Sequence, residues 1–180
     1  MRIDRLPDLG VRGIQLRQLE RTDVDNWFAY LAVPAVVEHT SWAVRSAEDL
    51  LSLVESYEST APTSPQRLAI VDSDLQTLIG TIGFHTVSDV NRSAEIAYDL
   101  APRYWGRGIA SAVCSAVTEW SFKVSGFNRV QATTLVTNLP SERVLQKCLF
   151  KYEGLLRAYR MVRGRPGDFK MYARLATDPP

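Results

Sequence analysis

The chain of 180 residues is poor in the side chains that most often carry metal or thiol chemistry, with two histidines and two cysteines. His39, His85, Cys114 and Cys148 fit no zinc-ligand spacing, so a metal site built on His and Cys is excluded. Net charge is also nearly absent: 21 Lys and Arg against 20 Asp and Glu leave +1. That balance gives no whole-domain footprint for nucleic acid and argues against it as a substrate, while leaving a local basic patch open. Apolar runs fall short of the ~18 residues of a membrane-spanning helix, and Met1–Asp8 lacks the apolar region of a signal peptide. The expectation is a cytoplasmic protein without a membrane partner. Cys114 and Cys148 sit in helix-like apolar stretches and read as buried, reduced thiols, with a disulfide between them left open. Any chemistry must then come from carboxylates, hydroxyls and backbone groups.

What is present is an ordinary globular composition, 46% hydrophobic and 23% charged. The length suits one domain over residues 1–180. Ile14–Arg17 alternates like a half-buried strand. Thr22 or Asp23 can cap a helix with Trp27, Tyr30 and Leu31 on one side. Ser46 and Asp49 form a weak capping-box signal for a second helix running toward Ser59. After a loop at Thr60–Gln66, Leu68–Val71 and Thr77–Phe84 read as a hairpin, and Ala94–Leu100 as a strand with Glu95, Ala97 and Asp99 on one face. Ile109, Ala112, Val113, Ala116, Val117 and Trp120 make a helical stripe ended by Gly126. Val130–Val136 is a strand. Asn138 and Pro140 open a last helix that buries Val144, Leu145, Cys148 and Leu149, and two strands close the chain around Arg163–Gly167. The class is mixed α/β, with antiparallel hairpins in the middle and a strand-helix-strand unit near the end.

The most informative segment is Arg103–Ala110, with glycines at 106 and 108 between a strand and a long helix. Unpaired amides at a helix start suit a phosphate, and glycine removes side chains that would block its approach. A dinucleotide fingerprint fails here: Ser111 takes the place of its last Gly or Ala, at least four strands precede the turn, and no acidic residue ends the next strand. A P-loop fails for want of Gly-Lys-Ser/Thr. Taken alone, the glycines leave two readings open, a phosphate cradle or a tight turn that uses glycine only for geometry.

Arg103-x-x-Gly106-x-Gly108 resembles the acyl-CoA signature of the GNAT superfamily of N-acyltransferases. Leu100–Ala110, Gly126–Val130, Asn138-x-x-Ser141-x-x-Val144-Leu145-x-Lys147-x-x-Phe150, Glu153-Gly154-x-Leu156-Arg157 and Leu16-Arg17-x-Leu19 are similar to the RimJ/RimL branch, the ribosomal-protein N-terminal acetyltransferases. The likeness spans about residues 14–175. It implies a bent, mostly antiparallel mixed sheet of about seven strands with about four helices, in which two central parallel strands splay apart around the acyl-CoA. Those strands would be Glu95–Leu100 and Val130–Val136. The resemblance puts the pyrophosphate on the amides of Arg103 through Gly108, with Leu100, Tyr104, Trp105, Arg107, Ile109, Ala110 and Ser111 around it, and the pantetheine arm on Asn138.

The implied reaction is direct attack by an amine on the thioester of acetyl-CoA, with no metal. A protein α-amine or a small-molecule amine would be the acceptor, and a homodimer is left open. An α-amine with pKa ~7.7–8.0 is far more often neutral at pH 7 than a lysine amine at ~10.4, so it asks less of a base. Glu95 is the expected base and Asp99 its backup. Ser141 is the expected hydrogen-bond donor to the leaving thiolate, because the Tyr that many relatives carry seven residues after the Asn is replaced by Leu145. Ala112 stands where relatives usually have Glu and reads as core; Leu149 replaces a usual Gly and suggests a different helix end. Trp27, Phe28, Tyr30 and Trp42 lie in helices that wall the acceptor site in the family, though such aromatics are more often core. His85 reads as a loop residue past a strand end or as a substrate contact. The last hairpin, with Arg157, Arg160, Arg163, Arg165 and Lys170 against Asp168, reads as a solvated surface or as a dock for an acidic peptide. Alternatives to acetyl transfer are another acyl group, such as succinyl, or an acyl-CoA sensor without turnover.

Overall fold

The structure, a computed structural model, describes residues 6–179 apart from 8, 42, 43, 59, 60 and 62. Trp42, the expected helix end at Ser59, part of the 60–66 loop and most of the opening residues therefore lie outside the described residues. β1 (Ile14–Gln18), β2 (Gln66–Asp72), β3 (Thr77–Ser88), β4 (Ser93–Leu100), β5 (Arg129–Leu135), β6 (Lys151–Val162) and β7 (Arg165–Leu175) form one sheet in the order β1-β2-β3-β4-β5-β7-β6. Every neighbouring pair is antiparallel except β4 and β5.

Helices cover both faces of this sheet, which is why β2 is buried along nearly its whole length. Its Ala69 and Val71 pack with Trp27, Leu50 and Val54 of α1 (Val24–Leu31) and α3 (Ala47–Tyr57). Its Leu68 and Ile70 belong to a second core, shared with Ile109, Val113 and Val117 of α4 (Ile109–Trp120) and Leu145 of α5 (Leu139–Lys147). Trp27 and Tyr30 are core residues, and Phe28 packs partly against them. α2 (Pro34–Val37) is the fifth helix where about four are expected; a single turn is too short to leave a periodic signal.

Local signals account for most of the boundaries. Ser46 and Asp49 close the capping box at the start of α3, Asp49 N–H donating to Ser46 Oγ at 3.4 Å and Ser46 N–H to Asp49 Oδ2 at 3.3 Å. Asp23 grips the guanidinium of Arg17 through both oxygens at 2.6 Å and fixes the entry to α1. α4 runs into a π-helical turn, Ser121–Ser125, which Gly126 ends at φ 67°. Its buried stripe is turned slightly from the expected one. Cys114 and Thr118 complete the face with Val113 and Val117, whereas Ala112 and Ala116 on the other flank are only half-buried, so Ala112 is not core. Both cysteines are buried and free; the Cys148 thiol donates to the Ser111 carbonyl at 3.2 Å.

At the end of α5, Leu149 is exposed, not buried as the stripe predicts. It adopts φ 65° and serves as the left-handed residue that closes the helix. Leu149 N–H donates to the Gln146 carbonyl and Phe150 N–H to the Leu145 carbonyl, each at 3.0 Å, the two bonds of a Schellman end. The helix end is thus the one a glycine would make, held by a leucine. The last two strands join through Arg163 and Gly164, both at positive φ (50° and 80°), as a two-residue hairpin turn requires.

Candidate active site

β4 and β5 pair through Ser93, Ala94 and Glu95 against Arg129, Val130 and Gln131, and then separate. β4 continues to Leu100 and β5 to Leu135 without a shared ladder, so the sheet opens between them. One cavity of about 530 Å³ lies at the glycine-turn side of this opening. A second of about 760 Å³ lies toward α1–α3. Tyr98, Asp99, Asn138 and Ser141 line both, so the two meet at the far end of β4 and the start of α5.

The first cavity contains most of the residues singled out from the sequence: Leu100, Tyr104, Trp105, Gly106, Gly108 and Ile109 line it, with Ala110, Ser111 and Asn138. Gly106 and Gly108 take φ 74° and 77°, and a Cβ on either would meet nothing within 4 Å, so the turn borders open space. The first intrahelical donor of α4 is Ala112, bonded to the Gly108 carbonyl at 3.0 Å, which leaves the amides of Ile109, Ala110 and Ser111 without helix acceptors. The cradle is narrower than expected at its front. Pro102–Tyr104 forms a 3₁₀ turn in which Tyr104 N–H donates to Ala101 and Trp105 N–H to Pro102, so those two amides are spent. The side chains of Arg103 and Arg107 stack on the Tyr104 ring, outside the cavity lining. Tyr104 in turn donates to Asp72 at 2.8 Å, and Trp105 Nε1 to the Leu100 carbonyl at 2.7 Å, which brace the turn.

Glu95, at the last paired position before the splay, is 4% exposed. One of its oxygens, Oε1, receives Thr133 Oγ1 at 2.7 Å, Arg160 Nη2 at 3.0 Å and His85 Nε2 at 3.3 Å. Burial raises its pKa, but the His85 and Thr133 hydrogen bonds and the charges of His85 and Arg160 outweigh burial and hold it down to about 2. His85 lies within β3, not past its end. The register shifts between Phe84 and Thr86, so His85 is the extra residue of a bulge and its ring turns into the larger cavity. Arg160 follows a larger irregularity in β6, where Leu156 to Arg160 spans only Phe169 to Gly167 on β7 and Ala158 takes φ 49°.

Asp99 shares the Glu95 face but has no free oxygen. Tyr30 donates to Oδ1, while Arg67 at 2.5 Å and Thr81 at 2.6 Å donate to Oδ2. Its role is to neutralise buried Arg67, which the spacing on the strand could not reveal. Ser141 N–H donates to Asn138 Oδ1 at 3.1 Å, and its carbonyl accepts Tyr98 Oη at 3.2 Å, while its own hydroxyl also lies against the Tyr98 phenol. Burial pushes the Tyr98 phenol well above its ordinary range, so the hydroxyl stays protonated at the junction of the cavities. Leu145 is buried and lines the larger cavity. In the last hairpin Arg160 and Lys170 are paired with Glu95 and Glu142 and Arg163 binds the carbonyls of Val37 and Glu38, while Arg157 and Arg165 are exposed.

The profile of the acetyltransferase (GNAT) domain matches residues 14–151. The uncharacterized N-acetyltransferase YoaA of Bacillus subtilis (strain 168) is 32% identical over 169 residues, which cover 93% of this chain and 96% of the relative. Among solved structures, a RimL ribosomal-protein alpha-N-acetyltransferase in complex with coenzyme A superposes with a TM-score of 0.83 at 21% identity, covering 92% of this chain and 95% of the other. A spermidine N-acetyltransferase from Vibrio cholerae, in complex with CoA and spermine, gives 0.80 at 22% identity, with 92% and 96% covered. At such identities these two structures speak for the fold. No helix among the described residues is long and apolar enough to cross a membrane.

Proposed function

Because the chain belongs to the GNAT acetyltransferase family, we propose that it transfers the acetyl group of acetyl-CoA to a primary amine, on a protein N-terminus or a small molecule, by direct attack on the thioester. The observation that carries this reading is the splay of β4 from β5, with open amides at one mouth and a His-Glu-Arg cluster at the other. In this reading the amides from Gly106 to Ser111 hold the pyrophosphate, with Leu100, Tyr104 and Trp105 as wall. Asn138, at the junction, donates one amide hydrogen to the His39 carbonyl at 3.4 Å and offers the other to the pantetheine arm. Arg103 and Arg107 lend positive charge from beside the turn.

An ammonium has no lone pair, so attack needs a proton acceptor. A carboxylate held at about 2 is a weak base at neutral pH, and Glu95 therefore works through His85. With hydrogen on Nε2, the imidazole donates to Glu95, and Nδ1, which accepts the Thr86 hydroxyl at 3.1 Å, is the ring nitrogen that takes the proton of the amine once that hydroxyl turns away. Glu95 fixes the tautomer and aim of the ring, and Arg160 with Thr133 fixes Glu95. Collapse of the tetrahedral adduct expels the CoA thiolate. Ser141 Oγ supplies a hydrogen bond to the sulfur, and a thiol pKa of ~8.5 lets solvent provide the proton. Leu145 favours a second reading, an acyl-CoA sensor without turnover, since it removes the usual acid. Thiol release from acetyl-CoA with an amine panel separates the two: sustained release excludes the sensor, and tight CoA binding with no release excludes the transferase.

A further inference from the structure

The polar side chains shared by the two cavities are those of His39, Thr40, Tyr98, Asp99, Asn138 and Ser141. In the transferase reading the thioester lies among them, with the pantetheine arm in the smaller cavity and the amine in the larger. Its collapse leaves a thiolate, and Leu145 offers that sulfur no proton. The Asp99 carboxylate is held by Arg67, Thr81 and Tyr30 and has none to give. Burial pushes the Tyr98 phenol well above its ordinary range, so it holds its proton more tightly than a thiol does. Thr40 Oγ1 donates to the Val37 carbonyl at 3.1 Å, and neither a hydroxyl nor an amide is acidic enough to lose a proton here. His39 is what remains.

His39 is half-buried in the turn just past α2 and tied on two sides. Its carbonyl accepts Asn138 Nδ2 at 3.4 Å, which sets it beside the residue read as holding the pantetheine arm. Its Nδ1 lies 3.1 Å from Thr137 Oγ1, which fixes the ring. Nε2 stays open, since the Glu38 carboxylate is 4.0 Å away, beyond hydrogen-bond length. Glu38 lines only the smaller cavity, so Nε2 lies toward the co-substrate. Arg143 and Lys147 of α5 line that cavity too, and Arg163 holds the Val37 and Glu38 carbonyls, so positive charge gathers on the side where the sulfur departs. Across the larger cavity Arg67 and Arg160 are paired with Asp99 and Glu95, His85 is the base of the reading above, and the Arg45 N–H bonds Asp49 at 2.8 Å.

We propose that His39 is the proton donor to the sulfur that leaves acetyl-CoA. The proposal rests on the transferase reading and adds the acid that Leu145 does not supply. As the tetrahedral adduct collapses, the carbon–sulfur bond breaks with its electron pair going to sulfur, and Nε2 passes its proton to that sulfur. CoA leaves as the thiol. The neutral imidazole recovers a proton from water, and the nitrogen of the new amide sheds its surplus proton to water. Imidazolium is a stronger acid than a thiol, so the transfer runs downhill. The two histidines of the chain then serve opposite ends of the reaction, His85 taking a proton from the amine and His39 giving one to the sulfur.

The test compares the wild-type chain with His39→Asn and His39→Gln, whose amides donate a hydrogen bond but give no proton. Thiol release from acetyl-CoA is followed from about pH 6 to about pH 9.5 with phenethylamine, spermidine or a short peptide, whichever reacts fastest. Calorimetric titration gives the Kd for acetyl-CoA. The readout is the ratio of wild-type to variant kcat, because the titrations of the acceptor and of His85 are common to both and divide out. For a variant whose Kd stays within about twofold of wild type, the ratio is expected to be about tenfold near pH 6.5 and to close to within about twofold by pH 9.5. It closes because the wild type loses the proton that the variant never carries. A ratio that does not change with pH overturns the proposal and leaves the transferase standing. A Kd raised beyond that limit in both variants also overturns it, by making His39 a binding residue. If the wild-type chain binds acetyl-CoA but releases no thiol with any of the three acceptors, the transferase reading falls and the acid falls with it.

Discussion

Glu95 is ionised at neutral pH, since its partners hold the carboxyl at about 2 against the pull of burial. It therefore keeps no proton taken from an ammonium, and in the proposed mechanism the residue whose loss matters for proton transfer is His85, 3.3 Å away. His85→Gln is expected to lower kcat by about 10²-fold near pH 7, with the deficit narrowing as pH rises toward the pKa of the acceptor. The narrowing follows because the amine then arrives with its lone pair. Glu95→Gln keeps a group beside His85 but loses the carboxylate acceptor. It should reduce kcat by about tenfold while leaving the acetyl-CoA Kd within about twofold. Steady-state kinetics over pH, paired with calorimetric titration of acetyl-CoA, read both effects. A Glu95→Gln enzyme more damaged than His85→Gln at neutral pH would return the base to the carboxylate. Asp99 is left out of the proposed proton path, because both of its oxygens already hold Arg67, Thr81 and Tyr30.

Two irregular strands aim this cluster, and they mark where the sequence stops being legible. The alternation of strands and helices, the α4 helix, the α3 capping box and the Asn138 cap are written in local residue choice, and the structure follows them, with the buried stripe of α4 turned slightly from the expected one. The glycine turn is legible as a turn for the same reason, since positive φ at 106 and 108 is a local property. A bulge is a relation between two strands, and neither the position of His85 in β3 nor that of Arg160 in β6 leaves a trace in one strand alone. The stripe that buried Leu149 fails for a similar reason: helix periodicity says nothing of the residue that reverses the chain. That residue gives a test at this scale. A left-handed leucine costs about 1 kcal/mol relative to glycine, and its exposed side chain packs little, so Leu149→Gly should stabilise the fold by that amount. For a chain of this size the melting temperature would rise by roughly 2–4 °C. Gly108→Ala is the converse. At φ 77° it strains the turn by about 1–2 kcal/mol and points a methyl into the cavity, so the fold should weaken and the KM for acetyl-CoA should rise. Unfolding curves and an acetyl-CoA titration of the two variants measure these changes.

Across the whole molecule, Glu95 joins four strands at the place where the sheet is weakest. Only three residues of β4 pair with β5, yet His85 of β3, Thr133 of β5 and Arg160 of β6 all close on the one carboxylate of β4. The opening between β4 and β5 is thus tied at its closed end by charge as well as by backbone. Such a tie depends on pH. The folded pKa of about 2 lies below the ordinary 4.5, so the native state binds its proton less readily than the unfolded chain does. The resulting stability is fully present above about pH 4.5 and is lost as the pH falls toward 2, an effect on the order of 3 kcal/mol. Glu95→Gln removes the group that titrates. The wild-type protein should be the more stable of the two at pH 7, and that advantage should shrink as the pH is lowered from 5 to 2.5, in urea titrations of both proteins. Two curves that stay parallel over that range would show that the carboxylate is not held by its partners in solution. In that case the cluster would not define the closed end of the opening.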